Sequence, residues 1–274
     1  MNSLNSPKPN PAPNEQVGSL AEGLRGTEGS GDSQGQGETQ PLRIRYRIRF
    51  SKSGLLRWIS HRDLARLWER MLRRANFRLS MTEGFHPKPR IGFPSALALG
   101  VDGDEEVVEL EFAEDLHPSE VLRRLDADQQ PGLGITSVSK VPNGFKKPQL
   151  ESSQYRITVP DSFPTEQIQP AIETLLAKDT VSVVRKKKNL DFKTNTQILS
   201  LKFRDEHLQL MLAASEAATL RPHDVLDLLG FSDWVEQGSL ITRTHVHLQQ
   251  DIKSDDPSVI AIAGEQRDPT TQLK

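Results

Sequence analysis

Apolar and polar residues alternate strictly along Arg43-Ile44-Arg45-Tyr46-Arg47-Ile48-Arg49-Phe50. A strand sends successive side chains to opposite faces, so Ile44, Tyr46, Ile48 and Phe50 are expected in a core and the four arginines on the other face. Further on, Leu64, Leu67, Trp68, Met71, Leu72 and Ala75 recur at the spacing of one buried helix face. Ser60 is a suitable N-cap, and Asp63 is placed to complete a capping box. The pattern predicts strand 43–50, helix 61–75, strands 91–99 and 105–112, helix 118–126 and strand 133–141. A second series follows: strand 154–159, helix 164–176, strands 181–186, 197–203 and 206–213, helix 222–229 and strand 239–248. Pro222 at a helix start and Gly230 just past its end suit the asymmetry of helix termini.

Each series is a βαββαβ run, the second with an extra or interrupted strand around Arg185–Phe203. The predicted fold class is therefore α+β, with two tandem ferredoxin-like (βαββαβ) units built on antiparallel sheets. Residues 42–148 form the first, basic unit and 149–250 the second. Residues 1–41 and 251–274 carry too few large apolar side chains to bury, and are predicted to be disordered tails.

Charge changes the picture more than overall composition does. The net charge of −2 conceals a sharp segregation. Residues 42–100 hold fourteen Lys or Arg against three Asp or Glu, and residues 101–130 hold eleven acidic against two basic. The absence of Cys excludes disulfides, thiolate chemistry and any Cys-ligated metal centre in this chain. No apolar run approaches the 18 or so residues of a membrane span, and no signal peptide pattern opens the chain. A cytoplasmic protein without a cofactor of its own is expected.

Four guanidiniums on one sheet face can bind phosphate or an acidic partner, since each is a planar, permanently charged donor fork. The competing reading is internal neutralisation. The strand over 105–112 buries Val108, Leu110 and Phe112, and offers Glu105, Glu109 and Glu111 on the face an adjacent Arg43, Arg45, Arg47 and Arg49 would share. Even then Arg62, Arg66, Arg70, Arg73 and Arg74, outside the apolar stripe of the first helix, remain, with Lys88 and Arg90.

The loop Gly84-Phe85-His86-Pro87-Lys88-Pro89-Arg90 is stiffened by its prolines. It is either a phosphate clamp or a crossover with Phe85 plugged into the core. His61 and His86 are candidates for a metal-independent acid–base pair in RNA cleavage, because imidazole titrates near neutral pH. Capping and loop packing explain both equally well. His245 and His247 share a strand face, but no third ligand with metal-site spacing accompanies them. Arg185, Lys186, Lys187 and Lys188 form a second basic cluster, expected at a solvated hairpin tip or as an extension of a binding surface.

Several of these segments resemble a bacterial family of unknown function whose members are fused to, or encoded beside, radical SAM proteins. They are Arg49-Phe50-Ser51-Lys52-Ser53-Gly54, Ser60-His61-Arg62-Asp63-Leu64, Arg73-Arg74-Ala75, Gly84 to Arg90 and Ala98-Leu99-Gly100. Weaker matches follow in Arg185 to Lys193, Arg221-Pro222 and Arg243-Thr244. Where the family's loop carries a His near its end this chain has Lys88, which argues against a fixed catalytic histidine. The resemblance implies a radical SAM protein as partner. Without Cys this chain cannot hold that enzyme's cluster, so it is expected to be a separate, non-catalytic accessory part. The leading expectation is RNA binding through the basic sheet and helix surface, governed by shape and charge because Tyr46 lies in the core. The alternatives are an adaptor that docks an acidic surface of the radical SAM partner without RNA, and a ribonuclease using His61 or His86.

Overall fold

Strict alternation at Ile44–Lys52 produces the first strand, β1, of a computed structural model that describes residues 42–128, 130–215, 217–253 and 255–262. A 3-10 turn (Gly54–Trp58) follows, then α1 (His61–Arg74), β2 (Ile91–Gly92), β3 (Asp102–Phe112), α2 (Pro118–Asp126) and β4 (Leu133–Lys140). The second half contains β5 (Leu150–Thr158), a 3-10 turn (Thr165–Gln167), α3 (Ile168–Leu176), β6 (Thr180–Arg185) and β7 (Lys188–Lys193). It continues with α4 (Thr194–Gln197), β8 (Ile198–Arg204), β9 (His207–Ala213), α5 (Pro222–Leu229), β10 (Ile241–Leu248) and β11 (Val259–Ala261). The fold is a mixed α+β arrangement around one large, mostly antiparallel sheet.

That sheet runs β11-β4-β1-β3-β10-β5-β9-β8, with β2 against β3. Its one parallel pairing joins the two halves: Thr242 lies beside Asp102 and Arg243 beside Gly103. The hairpin β6-β7 forms a separate two-stranded sheet. No described helix is long and apolar enough to cross a membrane.

The helices follow their local signals. Ser60 Oγ accepts the Asp63 N–H at 3.2 Å, the cap expected for α1. Leu64, Leu67, Trp68, Met71 and Leu72 then bury the inner face of that helix against Tyr46, Ile48 and Phe50 of β1 and Leu110 of β3. The Asp224 side chain accepts the Arg221 N–H at 2.6 Å where α5 begins, and Gly230 closes it at φ 82°, in the region open to glycine. A second core gathers Ile157, Ile172, Leu208, Leu210, Val225 and Trp234 beneath α3 and α5.

Three departures from the sequence pattern have physical causes. The strand expected over 91–99 stops at Gly92, next to Phe93 and Pro94, because proline offers no N–H to a ladder. The stretch of β3 it would have continued along, at Asp102 and Gly103, is taken by β10. Residues 188–193, lysine-rich at their start, form β7 because Lys186 and Lys187, at φ 48° and 65°, make a tight hairpin turn. Residues 251–253 and 255–262, read from composition as tail, are part of the fold, and β11 pairs with β4 through Val259, Ile260 and Ala261. The tails expected over 1–41 and beyond 262 lie outside the described residues.

Charges are also buried where the halves join. Arg243, 2% exposed, donates through Nε to Glu106 at 2.7 Å, pairs with it again through Nη2, and reaches Ser95 Oγ at 2.9 Å. The Glu106 side chain lies over Gly103, where a Cβ would come within 2.5 Å of its Cγ. Arg57 pairs with Asp102 at 3.0 Å. Lys52, 1% exposed, reaches only the Arg57 carbonyl at 3.5 Å among the described residues, and burial holds its amine below the ordinary lysine value. Three cations thus face two carboxylates, and Lys52 is the surplus. Lys52→Met is therefore expected to raise stability at neutral pH by about 1–2 kcal/mol. The unfolded chain binds the Lys52 proton more tightly, so wild-type stability should rise with alkaline pH, and the variant should lose that rise. Urea denaturation at two pH values measures both; a destabilised variant would mean that Lys52 is needed to hold Glu106 and Asp102.

Candidate nucleic-acid interface

The arginine row of β1 is neutralised inside the fold. Register places Arg45 opposite Glu111, Arg47 opposite Glu109 and Arg49 opposite Val107. Arg47, 2% exposed, donates to Glu109 Oε1 at 2.8 and 3.1 Å and to the Gln250 carbonyl at 2.8 Å. Asp251 receives both Arg47 at 3.2 Å and Arg49 at 2.5 Å, while Glu105 lies 3.6 Å from Arg49. Arg45 lies 3.7 Å from Glu109 and donates to the carbonyls of Phe145 and Lys146. Three buried or half-buried arginines thus meet Glu105, Glu109 and Asp251. Arg43, at the strand's start, pairs with Glu83 at 2.6 Å. The expected Glu ladder holds at Glu109 and Glu105; Asp251, more than two hundred residues away, supplies the third charge.

His245 and His247 sit beside this row with ring centroids 4.3 Å apart. His245 Nδ1 lies 2.7 Å from Glu105, and that hydrogen bond, with the neighbouring charges, holds the Glu105 carboxyl below its usual value. Burial pushes the His247 imidazole below 6.5, and His245 and Arg49 add to the effect. No group of three His, Asp or Glu among the described residues is arranged to hold a metal ion. A His kept neutral in the fold is protonated more readily in the unfolded chain, so stability should fall as pH drops below about 6.5. His247→Phe is expected to flatten that acid limb in thermal denaturation at pH 7 and pH 5; an unchanged limb would place its origin elsewhere.

The basic surface that does face solvent is the outer side of α1. Arg62, Arg66 and Arg70 follow at four-residue intervals, with Arg73 three further on, and all four are exposed. Arg66 has a loose partner in Asp63 at 3.5 Å, and Arg73 pairs with Glu69 at 2.5 Å. Arg62 and Arg70 make no ion pair among the described residues. Arg74 leaves the stripe to meet Asp128 at 2.8 Å. The Lys186, Lys187 and Lys188 side chains are exposed at the β6-β7 turn. Arg185 is an anchor instead, bonded to Asp224 and, at 2.8 Å, to the Thr219 carbonyl.

The loop before β2 is a small hairpin in its own right. Thr82 donates its N–H to the Lys88 carbonyl at 2.8 Å, and Lys88 returns a bond to Thr82 Oγ1 at 2.9 Å. This leaves Phe85 at the tip and fully exposed, not plugged into the core as one reading of the sequence had it. His86 and Lys88 are exposed; Arg90 is held by the Met81 carbonyl at 3.1 Å. His61 packs edge-on to Phe93 at 5.0 Å between centroids, and among the described residues no hydrogen bond or ring pair joins it to His86. The sequence reading also missed Trp58 and Leu55, apolar residues that the 3-10 turn leaves facing solvent. The stretch Leu55-Leu56-Arg57-Trp58-Ile59, apolar but for Arg57, signals burial, but the turn buries only part of it: Leu56 and Ile59 pack on the core.

Residues 45–222 match the model of a protein family described as uncharacterized protein conserved in bacteria (DUF2344). The chain belongs to that family. No curated protein matches the chain. Among solved structures it is similar to a Cbf5-Nop10-Gar1 complex, at TM-score 0.38 and 10% identity, over 73% of this chain and 48% of that one. It is also similar to an H/ACA RNP bound to a substrate RNA containing 2'-deoxyuridine, at TM-score 0.34 and 8% identity, over 73% and 47%. The chain spans about half the length of these structures, and likeness at this level carries no functional argument.

Proposed function

We propose that this chain is a non-catalytic accessory protein that binds RNA through the outer face of α1. The observation that carries the reading is the stripe Arg62-Arg66-Arg70-Arg73, which keeps its guanidiniums in solvent while the β1 row is consumed by carboxylates. A row of solvent-facing guanidiniums suits a phosphate backbone, and the lysines of the β6-β7 turn extend the positive surface. Residues 42–148 and 149–250 act on this reading as two ferredoxin-like units fused edge to edge. Its support is the strand order β4-β1-β3, with β2 beyond β3, in one half and β10-β5-β9-β8 in the other. The partner is a separate radical SAM enzyme, a proposal that rests on the family resemblance and on the absence of Cys. RNA recovered by crosslinking in cells tests the reading. One RNA class is expected to be enriched with wild type and lost in Arg62→Glu/Arg66→Glu/Arg70→Glu. Background RNA in both would overturn RNA binding in favour of a protein contact.

A further inference from the structure

We infer that Trp58 is a stacking platform for an unpaired nucleobase, so that the RNA bound by α1 is single-stranded where it passes the start of that helix. The inference rests on the RNA-binding reading and adds the class of ligand. Of the three tryptophans, Trp68 and Trp234 are fully buried, whereas Trp58 is 63% exposed. Leaving an indole in water forgoes one of the largest apolar burials a side chain can make, so its exposure calls for a partner.

The ring is held in place. Gly100, at φ 80°, lies under it, and a Cβ there would sit 3.1 Å from the Trp58 ring. The Gly100 N–H donates to the Arg57 carbonyl at 2.9 Å, fastening the glycine loop to the turn. The six-membered ring of the indole thus sits close to backbone that glycine supplies most readily in this conformation, while most of the side chain remains in solvent. In a 3-10 turn positions three apart eclipse, which sets Leu55 beside Trp58; Leu99 follows from the loop below. Leu55 is 88% exposed and Leu99 60%.

Charge selects the occupant. α1 begins three residues after Trp58, and its first exposed residues are His61 and Arg62, with Arg66 one turn on. An aromatic face next to a line of guanidiniums matches a base with its phosphates, the combination used by single-strand binders. A duplex keeps its base faces stacked and can use the arginines alone.

The full chain should be titrated with a fluorescein-labelled oligo(U) strand and, separately, with an RNA duplex of equal length. Anisotropy and intrinsic tryptophan emission are read together, and because the other two indoles are buried, quenching reports on Trp58. Oligo(U) should quench the emission and the duplex should bind without quenching. Trp58→Ala should weaken oligo(U) about tenfold with the salt dependence unchanged, while Trp58→Phe stays close to wild type. Oligo(U) binding without quenching, and equally tight in Trp58→Ala, would overturn the stacking role and leave RNA binding intact. Failure of both RNAs to bind would overturn the RNA-binding reading itself, and with it the stacking role. Because the quenching is read on wild type, the result does not depend on how well the variants fold.

Discussion

Glu109→Gln is expected to lower the unfolding free energy by about 3 kcal/mol, the low end of the cost of breaking a buried ion pair, because Arg47 loses one of its two carboxylates. Glu109 and Arg47 are 7% and 2% exposed, and two donated hydrogen bonds converge on one carboxylate oxygen. Once the carboxylate is neutral, Arg47 keeps Asp251, which it shares with Arg49. A solvent-exposed pair would cost well under 1 kcal/mol, so the size of the effect separates the two situations. Arg47→Met combined with Glu109→Leu should recover most of the loss, because apolar groups of similar volume remove both desolvation penalties at once. Urea denaturation of the four proteins completes the cycle; a loss below 1 kcal/mol in Glu109→Gln would show that water screens the pair. Charge reversal along β1 would thus be read as unfolding and cannot test binding.

Arg62→Glu/Arg66→Glu/Arg70→Glu should bind oligo(U) on the order of a hundredfold more weakly, at about 1 kcal/mol for each lost phosphate contact in a water-like medium. The slope of log affinity against log salt should fall by about two, at roughly 0.7 for each contact to a single strand. Stability should change little, since the three side chains are exposed and Arg62 and Arg70 anchor nothing among the described residues. A variant that binds as wild type does, with the same slope, would remove α1 from the interface.

The elements with a strong local period were legible. Leu64 to Leu72 fixed the inner face of α1, and Ile44 to Phe50 fixed that of β1, because both patterns are set within a few residues. Glu109 was within reach as well, since β1 and β3 were expected to be neighbours. Asp251 was not: its contacts with Arg47 and Arg49 span 204 and 202 residues, and its surrounding sequence looks like tail. Arg185 to Lys188 were legible as a hairpin tip, but the returning strand β7 was not, because lysines at positive φ are uncommon and give no turn signal of the Asn-Gly kind. Trp58 was hidden for the opposite reason, because an apolar run signals core unless the turn type is known. The proposed binding surface therefore lies not on the sheet, where the pattern was strongest, but on the helix and the turn before it.

The parallel contact between β10 and β3 also sets a timetable for synthesis. Glu106 waits 137 residues for Arg243, and Arg47 waits 204 for Asp251. A ribosome adding 5–20 residues per second leaves Glu106 without Arg243 for on the order of ten seconds, and Arg47, already beside Glu109, without its second carboxylate for longer. During that time the nascent first half carries unmatched buried charge and an open strand edge. Completion of the first half thus depends on β10 and Asp251, made far later, and a chain cut short before Asp251 would expose its fault at the opposite end.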